Sequence, residues 1–370
     1  MKSWTVRNIL GIFSGIALVF LITGCRQADA ILPKTLYYID GTGSSAQLWR
    51  LEVDGVSRSQ LTDEPSGADG FSVSPVDGTL AIISENKLHL INPQTQERQV
   101  IADGGLIDSV DHPSYTSQVS NPKFSPDGKT LAYSWNGIHL FDISTGADNH
   151  ILPNPTIING TAQDFAKGAY SVGAWSPDGS RLIVVISYYE GCTLAIMEPG
   201  VDGNLLMLQT QGAVGCFTAW SEDGKSVLAA NPYLTGAQPG LWRYDAGTGQ
   251  QTLAITRDDE NQTASFAGWP FQAADGTLNF FHANIPDSLL PEEIKLTLVR
   301  LQEGAEAPLP IHNEDFQIRT ALWAPDGGQV LVVADRDGTG RQLFFIDLSS
   351  GMLNVLIEDA DQISRLVWAP

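Results

Sequence analysis

Residues 124–133 read F-S-P-D-G-K-T-L-A-Y, and versions of this stretch recur along the whole chain. The local chemistry is that of a tight hairpin. Pro126 presets φ at the second turn position, and Ser125 and Asp127 can bond nearby backbone amides. Gly128 supplies the left-handed residue of a bulged three-residue loop. Beyond the turn, Leu131, Tyr133 and Trp135 alternate with Thr130, Ala132 and Ser134, which predicts a strand. The unit is therefore strand, turn, strand. It returns as V-S-P-V-D-G-T-L-A-I ending at Ile82, W-S-P-D-G-S-R-L-I-V from Trp175, W-S-E-D-G-K-S-V-L-A from Trp220 and W-A-P-D-G-G-Q-V-L-V from Trp323, with a degraded copy ending at Asp275-Gly276.

The turn glycines Gly78, Gly128, Gly179, Gly224, Gly276 and Gly327 are separated by 50, 51, 45, 52 and 51 residues. A period of this size holding several short strands means a propeller or a solenoid. Four strands and their turns fill it. The chain ends Trp368-Ala369-Pro370, which matches Trp323-Ala324-Pro325, and Leu36-Tyr37-Tyr38-Ile39 looks like the strand that should follow such a turn. One blade is thus expected to be shared by both ends, closing the ring and removing exposed sheet edges. The expected fold is all-β: a seven-bladed β-propeller of four-stranded antiparallel blades, occupying 35–62, 71–102, 122–152, 173–209, 215–256, 265–310 and 319–358. Runs such as 181–186 and 330–334 are apolar on consecutive residues, which suits strands buried on both faces.

The N-terminus carries an address. Lys2 and Arg7 precede an uncharged, mostly apolar run over 9–22, shorter than a membrane-spanning helix needs. It ends Leu21-Ile22-Thr23-Gly24-Cys25, which resembles the bacterial lipobox, in which the cysteine becomes the lipidated first residue of the mature protein. This divides the chain into a signal peptide over 1–24, a lipidated tether over 25–34 and the propeller over 35–370. The implied location is the cell envelope, on the extracytoplasmic side of a membrane, and the outer membrane where one exists. The whole chain carries a formal charge of −21, and losing Lys2 and Arg7 makes it −23. Such a surface disfavours nucleic acid and anionic membrane as direct partners, the lipid at Cys25 being the expected membrane link.

The W-S-P-D-G turn, a second strand, then D-R-D-G at Asp335 to Gly338 and L-F-F-I-D at Leu343 to Asp347, resembles the TolB-like or WD-like propeller repeat. The resemblance spans nearly all of the mature chain and is informative about fold rather than activity. TolB itself has six such blades beside a separate domain, so its envelope role is not carried over. Related propellers precede the hydrolase domain of prolyl-oligopeptidase relatives.

Antiparallel order places the Ser-Pro-Asp-Gly turns on one short-looped face. The long segments 103–121, 153–172, 231–240 and 283–293 fall on the other. Binding residues concentrate on loops over rigid scaffolds, and the candidates there are His112, Tyr115, Asp164, Phe165, Tyr170, Tyr188, Tyr189, Tyr233 and His282. Aromatic and polar groups around a funnel suit recognition of a protein, peptide or glycan by a monomeric propeller. Catalytic motifs are thin. Gly168 to Gly173 fails the nucleophile-elbow spacing. The six histidines show no pair at metal-ligand spacing, and His89 and His139 on third strands read as structural. Asp335 to Gly340 resembles the start of a calcium loop but lacks its twelfth-position glutamate, so no metal or cofactor is expected. Asp127, Asp178, Asp223 and Asp326 read as turn formers. The leading expectation is a non-catalytic binding or scaffold module. The rival is an envelope hydrolase or lyase with its site in the funnel. Cys192 and Cys216 both begin strands on the long-looped face of adjacent blades and are expected to form a disulfide in an exported chain.

Overall fold

The computed structural model describes residues 31–107, 117–155, 168–188, 191–200, 204–210, 217–233, 238–258, 260–290 and 294–369. They form a β-propeller. Its first sheet takes its innermost strand, Ser364–Trp368, from the C-terminal end, followed outward by Leu36–Asp40, Gln47–Leu51 and Arg58–Gln60. Four more four-stranded sheets follow, opening with Gly70–Val73, Ser120–Phe124, Ala169–Trp175 and Phe217–Trp220. All pairings within them are antiparallel.

The remainder departs from the expected pattern. In place of a sixth and a seventh separate blade stands one seven-stranded sheet, from Thr263–Gln272 to Leu353–Ile357. The expectation of seven clean four-stranded blades is therefore corrected to five four-stranded sheets and one of seven strands. The cause is Leu309–Trp323, a strand of 15 residues. Its first half pairs with Leu296–Leu301 and its second half with Gln329–Asp335. The polar residues Asn313, Glu314 and Asp315 read as a crossing loop, but their partners hold them extended. The Thr297 hydroxyl donates to Asp315, and Arg336 donates to Glu314 at 2.6 and 2.9 Å.

Seven strands line the axis in cyclic order. Ser364–Trp368 neighbours Gly70–Val73, which neighbours Ser120–Phe124, then Ala169–Trp175, Phe217–Trp220, Thr263–Gln272 and Leu309–Trp323, which returns to Ser364–Trp368. The core lies between the sheets. Leu131, Tyr133 and Phe141 of the third pack on Ala81, Ile83 and Leu88 of the second, and the same layering repeats around the ring. Second strands such as Leu182–Tyr188 and Gln329–Asp335 are buried on consecutive residues because a neighbouring sheet covers each face.

The repeated turns are built as their composition dictates. Ser125, Ser176 and Ser221 donate to Asp127, Asp178 and Asp223 at 2.6–2.8 Å, and each aspartate accepts the amide two residues on. The turn glycines are left-handed, as Gly128 shows with φ +70°. The tryptophan before the turn links neighbouring inner strands. Trp175, Trp220, Trp323 and Trp368 donate from Nε1 to the carbonyls of Lys123, Ala174, Trp269 and Trp323 at 2.7–3.0 Å.

Candidate functional site

Phe217 opens an inner strand and Tyr233 follows the second strand of the same sheet, so both lie on the long-looped face. They meet Trp269 there. Phe217 stands 5.6 Å from Tyr233 and 5.7 Å from Trp269 between ring centroids, and Tyr233 meets Trp269 edge-on at 6.3 Å. Trp269 is buried and props the group, whereas Phe217 and Tyr233 are each 37% exposed. Arg319, on Leu309–Trp323, and Arg341, on Arg341–Asp347, act electrostatically on Tyr233 from the next sheet. Burial raises the phenol above its ordinary range and the two cations oppose that rise. Both guanidinium groups are tethered at Asp361: Arg341 pairs with its carboxylate at 3.6 Å, and Arg319 donates to its carbonyl at 3.3 Å. Two partly exposed rings on a buried indole, within the electrostatic reach of two guanidinium groups, form a surface for stacking against a partner.

The other expected residues do not join this cluster. Tyr170 packs into the apolar layer between the third and fourth sheets, and its amide donates to Asn154 Oδ1 at 2.7 Å, which makes it structural. Tyr188 is exposed at the end of its strand, its ring laid against Gly168 so closely that a Cβ there would meet it at 3.1 Å. His282 points inward beside Phe280 at 5.7 Å. Its Nε2 is shielded and without a hydrogen-bond partner among the described residues, and burial pushes its pKa down to about 4. Cys25, His112, Tyr115, Asp164, Phe165, Tyr189 and Cys216 lie outside the described residues. Cys192 is buried and disulfide-bonded. Asp335 spends its carboxylate on the amides of Asp337 and Gly338, at 3.1 and 2.6 Å, as a hairpin turn does.

A second set of residues was not anticipated. Asn121, Trp269 and Arg365 have left-handed backbones, with φ of +50°, +47° and +52°. Each stands four residues before the first residue of the repeated turn, on an inner strand, where the register of pairing shifts. Left-handed residues other than glycine are strained and persist where surrounding structure holds them. The signal available in the sequence was slight: an asparagine, a tolerant residue for this conformation, at one of the three positions.

A cavity of about 500 Å³ lies elsewhere, at the rim between the first and last sheets. There Arg58 faces Asp40, Glu358 and Asp359, a set with its charges already mixed. The aromatic cluster differs in leaving two large rings partly open to solvent.

No protein-family model matches the sequence, and no curated relative matches it. Solved structures do. A prolyl endopeptidase structure superposes with a TM-score of 0.59 at 14% identity over 91% of this chain, which spans about half, 49%, of that protein. The periplasmic gluconolactonase of Pseudomonas aeruginosa superposes with a TM-score of 0.55 at 15% identity, covering 91% of this chain and 99% of that one. TolB of Acinetobacter baumannii is also a neighbour, with a TM-score of 0.44 at 17% identity over 90% of this chain and 82% of that one. The first two likenesses establish a propeller fold.

Proposed function

We propose that the chain is a membrane-anchored extracytoplasmic lipoprotein whose propeller is a non-catalytic binding module for a protein, peptide or glycan, engaged through its long-looped face. The observation that carries this reading is the Phe217–Tyr233–Trp269 cluster. Two aromatic rings more than a third open to water, in the field of Arg319 and Arg341, leave apolar surface for a partner to cover, and aromatic and arginine side chains dominate binding energy at interfaces. Several of the solved neighbours are enzymes, a prolyl endopeptidase and a gluconolactonase among them. At this identity that supports the scaffold and no more. The address rests on the Leu21-Ile22-Thr23-Gly24-Cys25 motif, and pairing of Cys192 with Cys216 is part of the same exported-protein reading.

Two experiments test it. Replacing Cys25→Ala should move the protein out of the membrane fraction; a variant that stays bound and uncleaved would point to a signal anchor. A photoreactive phenylalanine at position 217 or 233, irradiated in intact cells, should give a discrete adduct that the same probe at Lys129 on the short-looped face does not. Equal labelling from all three positions would remove the basis for a binding face. Turnover of peptides or glycans by the purified protein, abolished by changes in the funnel, would establish the hydrolase or lyase reading instead.

A further inference from the structure

The axial channel holds cations in a chain that is otherwise strongly acidic. Lys123 sits on the inner strand Ser120–Phe124, and Arg365 on the inner strand Ser364–Trp368, with Gly70–Val73 between them. The middle strand brings the two together. Gly70 has no side chain, and the Arg365 guanidinium lies over it, its carbon 3.8 Å from where a Cβ would stand. Two residues on, the Ser72 hydroxyl accepts the Phe124 amide at 3.2 Å, which fixes the Lys123 strand alongside. The Lys123 carbonyl is held from the other side by the Trp175 indole at 3.0 Å.

Both side chains are open to solvent, and Lys123 has protein atoms crowded around it. That enclosure, with the charge of Arg365, pulls the Lys123 pKa down. Among the described residues, neither cation has a carboxylate within ion-pair distance. Asp69, beside Gly70, feels Arg365 without pairing to it, and burial raises its own pKa. One weakened acid does not neutralise two cations. The two strands are also bent by left-handed residues, Arg365 itself and Asn121 two positions before Lys123.

We infer that Lys123 and Arg365 form an oxyanion site in the axial channel, for a phosphate or carboxylate group carried by a ligand that enters the funnel. A guanidinium and an ammonium reaching in from the two inner strands on either side of Gly70–Val73 provide charge-assisted hydrogen bonds to such a group, and partial exclusion of water strengthens them. The site is distinct from the aromatic face and does not depend on it.

The full-length protein, solubilised from membranes, is titrated calorimetrically with inorganic phosphate and separately with succinate at fixed ionic strength and pH 7. Saturable binding of at least one is expected, weakening as salt rises. Lys123→Met and Arg365→Asn should each weaken it by roughly tenfold or more. Asparagine is chosen at 365 because it tolerates the left-handed backbone. Lys129→Met, on an exposed turn, should leave binding unchanged. Without ligand and at low salt, Lys123→Met should melt no lower than the parent, because it relieves repulsion; this keeps the test decisive if the Arg365 variant does not fold. Binding of phosphate alone assigns a phosphoryl group, and of succinate alone a carboxylate. Saturation by neither, or binding undiminished in Lys123→Met, overturns the site. Crosslinking from positions 217 and 233 is unaffected by either outcome.

Discussion

At the scale of single residues, His282 shows how position and environment part company. Its place just before the expected 283–293 loop suggests a loop-face ligand, but it falls in the middle of Leu278–Pro286, with its ring beside Phe280. Its ordinary pKa of 6.5 is lowered to about 4 by burial. The unfolded chain therefore binds a proton between those values that the folded chain refuses, and stability falls as pH drops from 6.5 to 4. The full shift corresponds to roughly 3 kcal/mol, and partial exposure brings the effect to about 2 kcal/mol. His282→Leu should flatten melting temperature against pH in that window; a slope equal to the parent's would show that His282 is not the group responsible. A second window lies lower. The turn carboxylates of Asp142, Asp178 and Asp347 are held at about 2 by hydroxyl and amide donors, against an ordinary 3.8. Their contribution is present above pH 4 and is lost as pH falls toward 2. The serine, aspartate and glycine of these turns were legible in the sequence because the bonds that shape the turn are local. The environments of His282, Lys123 and Arg365 were not, because each is set by strands far away in the chain.

At the scale of elements, the same division separates turns from crossings. The hairpins follow from composition, whereas the merging of the last seven strands depends on Thr297 and Arg336 reaching residues 315 and 314. The tryptophan before the turn falls between these cases. Its recurrence is plain in the sequence, but its task is to tie one inner strand to the next through the indole N–H. Trp323 does this to Trp269, whose carbonyl belongs to a left-handed residue, at 2.7 Å. Trp323→Phe keeps most of the apolar contact and deletes the bond. It should cost about 1–2 kcal/mol, read as a lower urea midpoint with an unchanged slope. An unchanged midpoint would mean that the indole contributes packing alone. Phe271, stacked on Trp323 at 5.5 Å, gives the replacement ring an existing neighbour.

At the scale of the whole molecule, the ring is closed by the chain's own ends. Ser364–Trp368 pairs with Leu36–Asp40, and Ala369 donates its amide to the Thr35 carbonyl at 2.8 Å. Ile363 is fully buried and Leu366 nearly so, in a layer shared with Leu36, Tyr38, Leu331 and Val333. The Trp368 indole reaches the Trp323 carbonyl at 2.7 Å. This closure could be read from the matching Trp-Ala-Pro sequences because the repeat breaks off where its turn should continue. Each large apolar side chain contributes roughly 1.5–3 kcal/mol on burial, so the segment supplies several kcal/mol of a total that is typically 5–15 kcal/mol. Deleting residues 362–370 should also leave Leu36–Asp40 as a bare inner edge, free to pair with another chain. The expected result is cooperative loss of the folded state or aggregation. Ile363→Ala, which leaves the backbone pairing in place, should give a soluble protein destabilised by about 2–5 kcal/mol. The two variants separate strand pairing from side-chain burial. A truncated protein that stays monomeric and melts with the parent would show that the ring stands without its last strand, and that the pairing with Leu36–Asp40 does not hold it closed.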